Sequence, residues 1–165
     1  MENIFEPSII AFCCRWCSYA AADLAGSMRI QYPPNVKIIM VPCTGRVDIK
    51  HVLNAIEIGA DGVFLSGCLI GDCHYISGNI KATKRIAHTK RLFEEIGLEP
   101  ERVEIYFNSA AMGPQFAESC RKFTDTIRAL GPVYKERNLN SLISLDIKIS
   151  PFGRNDKNGN CETVS

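Results

Sequence analysis

The chain has 165 residues, 46% of them hydrophobic and 22% charged, and a formal net charge of +1. That composition supports a packed core and excludes a disordered chain, and with no long Lys/Arg run there is no electrostatic case for nucleic acid. No apolar run approaches the roughly 20 residues that span a bilayer. The start, Met1-Glu2-Asn3-Ile4-Phe5-Glu6-Pro7, has two acids and no basic region before an apolar stretch, so the expected setting is cytoplasmic, without a signal peptide.

In chain order, short apolar runs alternate with helical patterns. Ile9-Ile10-Ala11-Phe12 predicts a strand, followed by a helix with Ala21, Leu24 and Met28 on one face. Val36 to Val41 predicts a second strand. The next helix starts at an N-cap, Asp48, carries Ile49, Val52 or Leu53, and Ile56, and stops at Gly59. Gly62-Val63-Phe64-Leu65 predicts a third strand. Ala82, Ile86, Thr89, Phe93 and Ile96 follow at helical steps, ended by Gly97. Val103 to Phe107 predicts a fourth strand. Phe116, Cys120, Phe123, Ile127 and Leu130 mark a last helix between Pro114 and Gly131-Pro132.

Such alternation predicts an α/β fold of the Rossmann-like or flavodoxin-like kind. It has a parallel sheet of about four strands, right-handed crossovers and helices on both faces. The strand order is not readable. Residues 1–132 form the expected domain and 133–165 a C-terminal arm. In that arm Ile143, Leu145, Ile147 and Ile149 alternate with polar residues, which predicts an edge strand, a partner-docking segment or partial disorder.

Eight cysteines are the unusual count. The length and regular patterning argue against a secreted disulfide scaffold and toward metal, redox chemistry or burial. Cys13 and Cys14 end the first predicted strand, Cys17 opens the following helix, Cys43 ends the second strand, and Cys68 and Cys73 follow the third. These six sit at the carboxyl edge, where parallel sheets build their sites. Cys120 lies on an apolar helix stripe and reads as a buried small hydrophobe, and Cys161 lies in the polar tail. Cys13 must face away from Cys14, because successive strand side chains alternate.

Cys14 and Cys17 form C-x-x-C at a strand-to-helix turn, a spacing shared by thioredoxin-like dithiols and metal clips. Cys68 and Cys73 form C-x4-C, a spacing of plant-type 2Fe–2S sites, in a loop with Gly67, Gly71 and Gly78 that lets backbone wrap closely. Zinc ribbons more often pair two C-x2-C knuckles. Arg15, Arg46 and His74 fall on the same loops and would offset the negative charge of a thiolate-bound cluster. There is no G-x-G-x-x-G after the first strand and no P-loop, so nucleotide binding lacks its fingerprint. Two rivals stay open at this point: a dithiol oxidoreductase using Cys14 and Cys17, and a zinc-stabilised interaction module.

The chain resembles the iron–sulfur delta subunit family of methyl-viologen-reducing hydrogenases. The resemblance rests on Cys14-Arg15-Trp16-Cys17-Ser18-Tyr19, Ala22 to Gly26, Gln31 to Val36, Cys43 to Asp48, Gly67-Cys68, Gly71 to Tyr75 and Gly78-Asn79, within roughly residues 8 to 132. It implies one 2Fe–2S cluster held by four of Cys14, Cys17, Cys43, Cys68 and Cys73. It also implies a non-catalytic electron-transfer role in a hydrogenase–heterodisulfide reductase complex of methanogenesis. There the chain would link a nickel–iron hydrogenase small subunit, or a formate dehydrogenase, to the flavin-bearing A-type subunit of heterodisulfide reductase.

Overall fold

The computed structural model describes residues 5–134. The expected arm, with Cys161 and the alternating Ile143–Ile149 segment, lies outside the described residues.

Four strands form one parallel sheet: β1 (Ile9–Cys14), β2 (Val36–Val41), β3 (Gly62–Gly67) and β4 (Val103–Phe107), in the order β2-β1-β3-β4. Residues Ile9 to Cys14 pair with Val36 to Val41 on one side, and Ile9 to Cys13 pair with Gly62 to Ser66 on the other. Helices α1 (Ala20–Ser27), α2 (Ile49–Glu57), α3 (Gly78–Glu95) and α4 (Gly113–Leu130) follow the strands in turn. Because the chain leaves β1 first toward β2 and then crosses back to β3, the topology reverses between β1 and β3. That reversal opens a crevice at their carboxyl ends.

Side-chain alternation decides which helix each strand residue meets. Ile9, Ala11, Cys13 and Phe64 pack with Ala21 of α1 and with Phe116, Cys120, Phe123 and Ile127 of α4. Phe12, Val63 and Leu65 face the other way, onto Val52 and Ile56 of α2 and Ala82, Ile86 and Phe93 of α3. All six residues of β3 are buried, as befits a central strand covered on both faces. Burying each large apolar side chain contributes about 1.5–3 kcal/mol. Phe64, Tyr106 and Phe123 add edge-to-face contacts, with Phe64 and Phe123 centroids 5.2 Å apart.

Two helix faces differ from the periodicity. Met28 lies just beyond α1 and is exposed; the face that packs on α4 is Ala21, Ala22 and Ala25, small enough for close approach to Gly113. Ile96 lies past the end of α3 and is exposed as well. At the start of α2, Val52 rather than Leu53 takes the core position.

Arg102 is 1% exposed, yet its guanidinium is satisfied. It bonds to Glu99 Oε2 at 2.6 Å, Asp61 O at 3.1 Å and Gly131 O at 2.9 Å. It thereby ties the approach to β3, the turn before β4 and the end of α4. Among the described residues no helix is long and apolar enough to cross a membrane.

Candidate metal centre

Each strand that borders the crevice delivers thiols to it. β1 ends at Cys14, and the chain enters a wide π-type turn over Arg15–Tyr19 before α1 begins. Turns of this kind recur at functional sites. No side chain caps this start. The free N–H groups of Trp16 and Cys17 bond to the Cys14 sulfur instead.

After β2, Cys43 precedes a short 3-10 turn, Thr44–Arg46, and its sulfur accepts from Gly45 N at 3.4 Å. After β3, Cys68 begins a loop that returns to the N-terminus of α3. There the Cys73 sulfur accepts from the N–H groups of Tyr75, Gly78 and Asn79. The Cys68 sulfur accepts from His74 N–H.

The five sulfurs fall into a group of three and a group of two. Cys14, Cys17 and Cys68 all lie within 4.8 Å of one another, with Cys14 and Cys68 at 3.8 Å. Cys43 and Cys73 meet beside Gly78, whose missing side chain leaves both sulfurs their space. Cys43 feels the charge of both Cys73 and Cys14, so the two groups share one electrostatic site. A methyl-sized group on Gly45 would in turn strike Gly78 Cα at 2.7 Å, so the Cys43 turn and the α3 N-terminus touch backbone to backbone. Only glycine at both positions permits this approach.

Burial and hydrogen bonds move the thiol pKa values in opposite directions. The Cys14 thiol drops from its ordinary 9.0 to about 6, chiefly through its bond with Cys17, against the cost of burial. Cys17 is raised, first by that same bond and then by burial. Burial raises Cys43 and Cys68, although Gly45 N–H and the Cys17 thiol work the other way at each. Burial also acts to raise Cys73, but the backbone N–H groups at the start of α3 outweigh it and the net shift is downward.

Supporting residues hold these loops. Asn79, 1% exposed, donates to Cys68 O at 3.1 Å and Leu69 O at 2.8 Å, which folds the C-x4-C loop over the helix start. The Arg85 guanidinium donates to Gly45 O at 2.6 Å and Val47 O at 2.9 Å and so clamps the Cys43 turn. Asn108 bonds to Ser66 Oγ at 2.9 Å and Ser18 Oγ to Gly67 O at 3.4 Å. Sequence reasoning missed Arg85, Ser18 and Asn108 as supports, and took Asn79 only as part of a pattern. A lone polar residue inside an amphipathic helix, such as Asn79 at the start of α3, is the one local signal available.

The expected basic residues stand around the rim. His74 stacks on Trp16 with ring centroids 4.1 Å apart, and Arg15 Cζ lies 5.7 Å from the Trp16 ring. Arg46 borders a cleft of about 500 Å³ beside Cys43, together with Tyr75, Gly78 and Lys81. Cys13 faces the α1/α4 side, away from the site, as alternation requires. Cys120 is fully buried in that same core.

The donor set is chemically uniform: five soft sulfurs with backbone N–H groups turned onto them. Thiolates with such donors fit iron–sulfur or zinc chemistry and do not suit hard cations. The 3.8 Å between Cys14 and Cys68 equals the edge of a tetrahedron with metal–sulfur bonds of about 2.3 Å.

Fold and site together define a class: a parallel α/β protein with a cysteine centre at the topological switch point of its sheet. The profile of the methyl-viologen-reducing hydrogenase delta subunit family matches residues 9–131, and the chain belongs to that family. It is 48% identical over 137 residues to the iron-sulfur subunit of an F420-non-reducing hydrogenase of Archaeoglobus profundus, covering 83% of this chain and 100% of the relative. The vhu iron-sulfur subunit of an F420-non-reducing hydrogenase of Methanopyrus kandleri is 48% identical over 128 residues, 78% of this chain and 97% of the relative. The A-type subunit of the ferredoxin/F420H2-dependent CoB-CoM heterodisulfide reductase of Methanosarcina acetivorans is 45% identical over 130 residues, 79% of this chain but 16% of that longer protein.

Proposed function

We propose that this chain is an electron-transfer subunit that carries one 2Fe–2S cluster between a hydrogenase and heterodisulfide reductase. The observation that carries the reading is the convergence of five thiols, from the ends of three strands and one helix start, on a single rim of the sheet. When bound, the cluster supplies a one-electron donor and acceptor. Four of Cys14, Cys17, Cys43, Cys68 and Cys73 would hold it. The N–H groups around their sulfurs lower the cost of negative charge, and Arg15, Arg46 and His74 add positive charge at the rim.

The division of thiols into three and two favours two irons over a single zinc ion, which closes four ligands around one point. A dithiol oxidoreductase needs only Cys14 and Cys17 and leaves Cys43, Cys68 and Cys73 without a role. The subunit needs no catalytic group, because it moves electrons without making bonds.

The relatives named as hydrogenase subunits point to a nickel–iron hydrogenase as donor, with a formate dehydrogenase as the alternative. In another relative a similar segment forms 16% of a heterodisulfide reductase chain, which points to the flavin-bearing subunit of that enzyme as acceptor. The expected arm at 133–165 is proposed to dock one of these partners. Anaerobic affinity purification of the full chain from its native source tests this. Recovery of hydrogenase or formate dehydrogenase subunits together with the flavin-bearing heterodisulfide reductase chain supports the link, and recovery of neither overturns it.

A further inference from the structure

The proposed cluster leaves one of five thiols over, and the geometry favours one residue for that place. A 2Fe–2S centre takes four cysteine thiolates, two on each iron. Cys43 and Cys73 stand together beside Gly78, so that end of the site has its two. At the other end Cys14, Cys17 and Cys68 compete for two positions.

Hydrogen bonding separates the three. A metal-bound thiolate carries lone pairs and no proton, so it accepts. Cys14 accepts from the N–H groups of Trp16 and Cys17, and Cys68 from that of His74. At the opposite end Cys43 accepts from Gly45, and Cys73 from Tyr75, Gly78 and Asn79. The partners of the Cys17 sulfur are of another kind: the Ser18 hydroxyl at 3.6 Å and the sulfurs of Cys14 and Cys68. Cys14 and Cys68 are also the pair whose 3.8 Å separation fits two corners of one tetrahedral metal. Cys17 is 5% exposed, so a proton on it is shielded from exchange with bulk water.

On the reading that this is a two-iron site, we infer that Cys17 is the fifth thiol, which stays off the metal and directs its S–H at the sulfurs of Cys14 and Cys68. Cys14, Cys43, Cys68 and Cys73 are then the ligands, and Cys17 is a positioning and tuning residue. A donor aimed at ligand sulfur stabilises negative charge there, and more so after an electron is added, so it raises the reduction potential.

The test compares the wild-type chain with Cys14→Ala, Cys68→Ala, Cys17→Ala and Cys17→Ser, prepared anaerobically. The readouts are iron, acid-labile sulfide, visible absorption and a mediated redox titration. Cys14→Ala and Cys68→Ala are expected to lose the cluster. Cys17→Ala is expected to keep wild-type iron and sulfide but to titrate at a more negative potential. Cys17→Ser, whose hydroxyl can still donate, is expected to keep the absorption bands in place and to titrate between the two. Loss of iron from Cys17→Ala with unchanged far-UV circular dichroism overturns the assignment. So do bands moved to shorter wavelength in Cys17→Ser, which mark oxygen bound to iron, and so does a Cys17→Ala potential equal to wild type. If Cys17→Ala does not fold, Cys17→Ser decides alone. A wild-type chain that binds no iron overturns the two-iron reading itself, which separates that failure from failure of the Cys17 assignment.

Discussion

Gly78 faces the Cys43 sulfur with no room for a side-chain carbon between them. The same position would crowd the Cys73 sulfur at 3.3 Å. Gly78→Ala is therefore expected to drive the two thiols apart and abolish cluster binding while the sheet persists. Iron content and visible absorption read the loss, and far-UV circular dichroism the retained fold. Gly26→Ala is the control. Gly26 lies in α1 with nothing near its would-be side chain, so alanine there is expected to stabilise by about 0.5–1 kcal/mol and leave the cluster alone.

Arg85 reaches from α3 to two carbonyls of the Cys43 turn. Truncation to alanine leaves those carbonyls without their charged donor, at a cost of about 1.5–3 kcal/mol. The expected outcome is a lowered denaturation midpoint and faster loss of iron to a chelator. Lysine, which offers one point charge instead of a planar fork, is expected to recover only part of the effect.

Cys73→Ala and Cys120→Ala separate site from core. Cys73 sits at the α3 N-terminus and is expected to be essential for the visible absorption. Cys120 lies in the α4 core among Phe116, Phe123 and Cys13, and its alanine variant is expected to keep the absorption intact with a stability loss of about 1 kcal/mol. Loss of the cluster from Cys120→Ala with the fold preserved would contradict this division.

Burial pushes the Cys120 thiol from its ordinary 9.0 up to about 12. The folded value lies above the unfolded one, so the unfolded chain ionises first as pH rises. The contribution to stability is intact below pH 9 and shrinks between pH 9 and 12, by about 1.4 kcal/mol per pH unit. Denaturant titrations between about pH 9 and 11 are expected to show a shallower alkaline decline in Cys120→Ala than in wild type. Equal slopes would contradict it.

Much of this architecture is legible in the linear chain because it depends on local patterns. The four strands read as apolar runs since both faces of the sheet are covered, and Asp48 reads as an N-cap because its side chain does bond to Lys50 N. Cys13 and Cys14 separate by strand alternation alone. What stays hidden depends on tertiary placement. The approach of Gly45 to Gly78 joins residues far apart in sequence, and the Arg85 clamp and the Arg102 anchor are set by where helices land on the sheet. Met28 and Ile96 follow a helical rhythm past the point where backbone geometry ends the helix, so periodicity places them inside and the fold leaves them out. The strand order, and with it the crevice between β1 and β3, has no local signature.

The most direct test is iron and acid-labile sulfide analysis of anaerobically purified wild-type protein, with zinc measured in the same sample. About two irons and two sulfides per chain are expected. Zinc without sulfide, or a metal-free chain with a reactive Cys14–Cys17 dithiol, would contradict the account.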